Sequence, residues 1–183
     1  MSEPSLPDKL ILIDEALTTA KIGHAFGGAI ALAYYAEPRA TADIDVNVFC
    51  GSDQYRRVAE VLSMVGVDVL TDLNRLARDE QCRLNWGRTP IDLFFAYDRL
   101  HAEMERNIRR VPFAEAQIPI LSPEHLMICK GYFDRAKDWI DIEQMLVVTE
   151  VDIDKVDRWL VEILGEDHLS LARFRKLATE LSG

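Results

Sequence analysis

Apolar positions recur at two periods along the chain. In DIDVNVFC, residues 43–50, Ile44, Val46 and Val48 alternate with Asp45 and Asn47. A period of two predicts a strand with one face in a core. In SDQYRRVAEVLSMVG, residues 52–66, Tyr55, Val58, Leu62 and Val65 fall on one helical face, and Gly66 ends the run. The same reading predicts a helix over DKLILIDEALTTA (8–20) with Asp8 as its cap, a short strand in IGHAFGG (22–28), and a helix over AIALAYYAE (29–37) stopped near Pro38. VDVLT (67–71) reads as a short strand and DLNRLARDE (72–80) as a short helix. CRLNWGRTPIDLFFAY (82–97) predicts two strands around a turn at Gly87-Arg88-Thr89-Pro90. RLHAEMERNIRR (99–110) has a helical pattern, and VPFAEAQIPIL (111–121) reads as one further extended segment.

From Ser122 onward the pattern is helical. SPEHLMICKGYFDRAKD opens with Ser122 as a cap and Pro123 at the first helical position. DWIDIEQMLVVTE, DIDKVDRWLVEILG and DHLSLARFRKLATELS follow. Mixed elements followed by helices alone predict an α+β fold, with a core over residues 1–120 and a helical bundle over 121–183 packed on it.

Composition narrows the function classes. Apolar residues make up 49% of the 183, enough for a real core. The net charge of −10 sets a field that repels phosphate backbones, so a nucleic-acid partner would need a local basic patch. Arg39, Arg56, Arg57, Arg75, Arg78, Arg83, Arg88, Arg109 and Arg110 concentrate in the middle of the chain, as a solvated surface or as such a patch. Cys50, Cys82 and Cys129 are odd in number and lack CxxC spacing. Without a signal-peptide pattern or an apolar run of membrane length, the expectation is a cytoplasmic protein with no membrane partner. His24, His101, His125 and His168 have no zinc-ligand spacing, and His24 reads as a plain strand residue.

The candidate chemistry lies in carboxylates placed on strands. Asp43 and Asp45 point to one side of theirs, and two carboxylates so close repel unless a cation lies between them. Magnesium suits hard oxygen ligands and leaves positions for substrate phosphates. From the D-x-D alone, a solvent-facing pair at a strand end stays open. A calcium loop does not fit, since Val48 and Gln54 stand where an EF-hand needs Gly and Glu. Gly27-Gly28 lacks the G-x-G-x-x-G spacing of a dinucleotide turn. Asp92 in the apolar run TPIDLFFAY is a third strand carboxylate. If its strand lies beside Asp45, three acids converge and can hold two Mg2+ ions. Gly27, Gly28 and Ala29, opening a helix, then bring backbone N–H groups towards a phosphate.

Taken together, GGAIALAYYAEPRATADID resembles the DNA polymerase beta-like nucleotidyltransferase superfamily, and within it the AbiEii-type branch. The shared features are Gly-Gly, Pro-Arg and D-I-D; the branch's helix reads A-L-x-x-x-Y, and this chain has Ala31-Leu32 with Tyr35 one position earlier. LSPEHLMICKGYFDRAKDWIDIEQML resembles the later family helices at Lys130, Arg135, Asp138 and Asp141. The resemblance implies transfer of a nucleoside monophosphate from an NTP to an acceptor hydroxyl on tRNA, protein or a small molecule. Its setting would be a toxin–antitoxin pair with a cognate antitoxin. Asp43 and Asp45 would hold both metals, and Asp92 the catalytic one. Lys130 would neutralise the triphosphate, with Asp138 orienting it or moving a proton. A solvated helix face with i,i+4 ion pairs is the plain reading of those last residues. Ala29 departs from relatives that place Ser or Thr there. The rival readings are a catalytically inactive NTP-binding or protein-interaction module on the same fold, and a structural domain with surface acids.

Overall fold

The computed structural model describes residues 3–181. The chain divides into two compact units. One holds the residues up to Ile30 together with Ala40–Leu121; the other joins Ala31–Arg39 to the residues from Ser122 on. Residues 31–39 thus cluster with the helical unit, although they precede the acid-bearing strand in sequence.

The first unit is built on one sheet. Its strands among the described residues are β1 (His24–Phe26), β2 (Ile44–Val48), β3 (Gln81–Trp86), β4 (Thr89–Phe95), β5 (Arg109–Phe113) and β6 (Ala116–Ile120), in the order β3-β4-β2-β1-β6-β5. β2 runs parallel to β4 and β1 parallel to β6; the other neighbours are antiparallel. Ile44, Val46 and Val48 and, from β4, Ile91, Leu93 and Phe95 are fully buried, so the alternation read from sequence does set the core face. Helix α1 (Leu6–Thr19) buries Leu10, Ile13 and Leu17 in this unit. Its cap is Ser5, not Asp8. Ser5 Oγ accepts from the Asp8 N–H at 3.3 Å while Asp8 accepts from the Ser5 N–H at 3.1 Å, a reciprocal capping box.

Several predicted elements change. The helix expected over 29–37 is the five-residue α2 (Gly28–Leu32), followed by turns. α3 (Tyr55–Met64) and α4 (Leu73–Asp79) form as expected, but VDVLT contributes only an isolated bridge between Asp68 and Asn85. α5 (Arg99–Arg106) stops before Arg109 and Arg110, which open β5 instead. The single extended segment of 111–121 is a hairpin, because Ala114 at φ +48 turns β5 back into β6. Pro112, Arg109 and Arg110 lie on that edge strand, where exposed charge and a missing N–H discourage pairing with another chain.

The second unit is helical: α6 (Pro123–Phe133), α7 (Ala136–Val148), α8 (Ile153–Leu164) and α9 (Leu169–Leu181). The helix expected over 122–138 is broken. Asp134 adopts the left-handed conformation at φ 53 and accepts from Trp139 Nε1 at 2.6 Å, which fixes the bend between α6 and α7. α6 and α8 approach closely at Gly131, where a Cβ would stand 3.0 Å from Leu160. Met127, Ile128, Ile142, Met145, Val156 and Phe174 are fully buried within this unit.

Candidate active site

The parallel pairing of β2 and β4 sets Asp45 directly opposite Asp92. Adjacent strands lie about 4.8 Å apart, and residues in register point to the same face. Asp43, two residues before Asp45 on the same chain, shares that side. The three strand acids therefore meet on one face of the sheet, with their apolar neighbours turned into the core on the other. Asp43 is more open than Asp92, at 41% against 20% side-chain exposure.

The glycine pair faces the same acids. The Gly27 N–H donates to the Asp45 carbonyl at 2.9 Å, continuing the β1–β2 pairing past the end of β1. Gly28 has φ +52, and a Cβ there would fall 1.7 Å from Asp45 Oδ2. Two separate demands thus exclude a side chain at 28: the backbone conformation and the carboxylate already in that space. At Gly27 a Cβ would meet Asn47 Nδ2 at 3.0 Å. Ala29 follows as a buried residue of α2.

A cation already sits among the acids, and sequence reasoning did not single it out. Arg83 on β3 is the register partner of Asp92. Its Nε donates to Asp92 Oδ1 at 2.7 Å and its Nη2 to Asp92 Oδ2 at 2.6 Å, a two-pronged pair, and Nη2 also lies 3.4 Å from Asp43 Oδ2. Asp92's hydrogen bonds and then its charge, with smaller contributions from Asp43 and Asp45, push the guanidinium pKa above its already high range. A signal for this contact exists in the sequence. The hairpin loop is Gly87-Arg88 alone, with Gly87 at φ +60, and counting outward from a two-residue loop sets 83 against 92. Extending the turn to Pro90 lengthens the loop by two residues, sets Arg83 against Phe94 and hides the pair.

The remaining predicted site residues lie in the helical unit and are tied to one another. Lys130 is 4% exposed; its Nζ donates to Asp141 Oδ2 at 2.5 Å and lies 3.8 Å from Asp138 Oδ1. Asp138 is fully buried and accepts from Arg135 Nε at 2.6 Å, Nη2 at 3.1 Å and N–H at 3.2 Å. Arg39 Nη2 reaches Asp141 Oδ2 at 3.3 Å. The ammonium of Lys130 is thus committed to two carboxylates of its own unit. His24 hydrogen-bonds Asp14 at 3.0 Å and the Ile22 carbonyl at 3.0 Å, as a strand residue with local partners. Cys50 and Cys129 are half-buried thiols. A cavity of about 360 Å³ is lined by Lys9, Thr41, Ala42 and Thr89 among others. Thr89 shares the parity of the core-facing residues of β4, so this cavity lies towards α1 and not on the carboxylate face.

Chemically, the face offers hard oxygen donors from two adjacent strands and a demand for positive charge that Arg83 meets in part. Among the described residues no three His, Cys, Asp or Glu side chains form a ready cage for one ion. The donor set suits Mg2+, provided the guanidinium gives up its hold on Asp92. No helix among the described residues is long and apolar enough to cross a membrane.

No protein-family model and no curated protein matches the chain. Solved structures do. The antibiotic-resistance factor ANT(2'')-Ia in solution superposes with a TM-score of 0.58 at 16% identity, over 99% of this chain and 97% of that one. Its crystal structure in complex with adenylyl-2''-tobramycin gives 0.56 at 15%, over 93% and 97%. The lincomycin-bound lincosamide antibiotic adenylyltransferase LnuA gives 0.55 at 12%, over 81% and 100%. These likenesses, together with the mixed six-stranded sheet and its helices, establish that the chain has the nucleotidyltransferase fold.

Proposed function

We propose that the protein is a magnesium-dependent nucleotidyltransferase that moves a nucleoside monophosphate from an NTP to an acceptor hydroxyl. The observation that carries this reading is the register of Asp45 against Asp92, with Gly28 packed directly on the Asp45 carboxylate. Asp43 and Asp45 would hold two Mg2+ ions, with Asp92 as the third ligand on one of them. Bound there, the ions supply positive charge that acidifies the acceptor hydroxyl and steadies the pyrophosphate. The chain's own part is to position and to take a proton. Gly27 and Gly28, lacking side chains, let the triphosphate approach the backbone at the start of α2. The acceptor oxygen attacks the α-phosphorus, the bond to the β-phosphate oxygen breaks, and pyrophosphate leaves. Asp92 takes the acceptor's proton, which requires that one of its oxygens be released by Arg83. Lys130 and Asp138 serve the same reaction in this reading only if the Lys130 ammonium exchanges Asp141 for phosphate.

Two points favour a small-molecule acceptor. The net charge of −10 opposes a polyanionic one. The two similar proteins named above are adenylyltransferases or resistance factors for antibiotics. Label on tRNA or on a protein would instead place the chain in the AbiEii-type setting, with an antitoxin partner. The inactive-module reading is favoured by two observations, the closure of both Asp92 oxygens by Arg83 and Ala29 in place of a hydroxyl residue.

The experiment is incubation with each α-labelled NTP, Mg2+ and cell extract, or a panel of hydroxylated antibiotics. The expected result is label on one acceptor, with Asp43→Asn and Asp45→Asn each at least about 100-fold slower. Label transfer that persists in both variants would exclude the metal-holding role of the acids. Nucleotide binding without any transfer would favour the inactive module.

A further inference from the structure

The three strand acids on one open face should repel one another, yet a guanidinium fork spans two of them. Arg83 occupies both oxygens of Asp92 and leans on Asp43, so the same lone pairs that a divalent ion needs are already satisfied. Nothing buries this arginine in place: its side chain is 57% exposed and it stands on β3, the edge strand of the sheet. An exposed ion pair is held weakly enough to exchange, while a bidentate fork is specific enough to be the resting partner.

We propose that Arg83 is the resident counter-cation of the acid face, and that a divalent ion binds only by displacing its guanidinium from Asp92 and Asp43. This inference rests on the reading of Asp43, Asp45 and Asp92 as a metal site. Its consequence is a threshold. The ion must outcompete a covalently tethered cation, so the site closes at low divalent concentration and opens at high. Once displaced, the guanidinium stays on the same edge strand, next to the bound ion. The cost of metal entry is therefore set by a residue that is not itself a ligand.

The test is a titration of the full chain with Mn2+ alone, followed by the electron paramagnetic resonance of the free ion, with no nucleotide present. Wild type, Arg83→Gln, Arg83→Lys and Asp43→Asn are compared, each checked for fold by circular dichroism. Arg83→Gln is expected to bind Mn2+ about three- to tenfold more tightly than wild type. Arg83→Lys keeps the charge but loses the fork, and is expected to fall between the two. Asp43→Asn is expected to weaken binding. If wild type binds Mn2+ through Asp43 and Arg83→Gln binds it equally or less well, displacement is refuted while the metal site stands. If Arg83→Lys matches wild type and only Arg83→Gln gains, the effect is the arginine's field and displacement is again refuted. If neither wild type nor Arg83→Gln binds Mn2+, the metal site falls and the inference with it.

Discussion

Each of the two units carries a cluster of carboxylates and bases, and the clusters differ in depth far more than in composition. In the sheet unit, Asp43, Asp45, Asp92 and Arg83 lie on an open strand face, with Arg83 57% and Asp43 41% exposed. In the helical unit, the side chains of Lys130, Asp138 and Asp141 are at most 5% exposed and only Arg39 and Arg135 reach towards solvent. Depth decides what each cluster can do. Water competes for every contact on the open face, so a partner there can be traded for an ion or a phosphate at small cost. In the buried cluster, losing one partner leaves a charge without solvent, which costs several kcal/mol. The open cluster is fitted for exchange, and the closed one for holding α6, α7 and the 31–39 segment together.

The sharpest way to break this contrast is to remove one member from each side. Lys130→Met leaves Asp138 and Asp141 buried with one arginine each, and is expected to cost about 3 kcal/mol, a fall in Tm of about 6–12 °C. Asp43→Asn, by contrast, relieves repulsion on an exposed face and is expected to leave Tm within about 2 °C. Thermal melts of the two variants measure this directly. A Lys130→Met protein that melts like wild type but has lost transfer activity would reverse the assignment and make the lysine a phosphate contact after all.

How far this contrast was legible in sequence follows from what periodicity can and cannot carry. The alternation of Ile44, Val46 and Val48 fixed which way Asp43 and Asp45 point, because side-chain direction on a strand depends only on parity. That Asp92 would join them needed the order of strands, and the apolar run around it favoured a central position beside β2 without proving it. Arg83 was lost through a two-residue difference in turn length, since register in a hairpin is set by the loop, and the alternation of Leu84 and Trp86 fixes only parity, which a two-residue slip preserves. The break between α6 and α7 was hidden because an Asp in the left-handed conformation leaves no Gly or Pro as a marker. Burial of Lys130 was invisible for a related reason: a charged residue on a helix reads as solvated unless its partners, eight and eleven positions later across a bend, are known.

A smaller effect tests whether the open face is also held in place. Gly28→Ala forces a Cβ into Asp45 Oδ2 and an L-residue into φ +52. The expected cost is about 1–2 kcal/mol from the backbone, plus displacement of the Asp45 carboxylate. Gly27→Ala is crowded only by the end of the Asn47 amide at 3.0 Å, with Leu121 and Asp45 at ordinary contact distance, and is expected to cost less. The discriminating measurement is Mn2+ binding beside Tm. Gly28→Ala should weaken both, whereas a loss of stability with unchanged binding would show that Asp45 is not located by the glycine.

The smallest expected effect supplies the control for Arg83. In the helical unit, Arg175 grips Asp157 with the same fork, Nε at 2.6 Å and Nη2 at 2.9 Å, and adds Glu166 at 2.6 Å. The pair is partly exposed. The hydrogen bond from Arg175, and next to it the arginine's charge, hold the Asp157 carboxyl below its ordinary range, against a raising contribution from burial. A carboxyl whose folded-state pKa is depressed stabilises the fold fully above its unfolded pKa, and loses that contribution as pH falls through the folded value. Asp157→Asn is therefore expected to lower Tm at pH 7 by about 1–2 °C, and to match wild type increasingly closely below about pH 4. Melting Arg83→Gln and Asp157→Asn with and without Mn2+ separates the two forks. Arg175 is gripped by acids that have no other cation to wait for, so its removal can only destabilise. Arg83 covers acids that repel each other when left bare, so its removal should destabilise without added metal, and millimolar Mn2+ should restore the lost Tm. Recovery with metal in the Arg83 variant and none in the Asp157 variant would mark the open face as built for exchange; equal behaviour of the two would make Arg83 an ordinary surface ion pair.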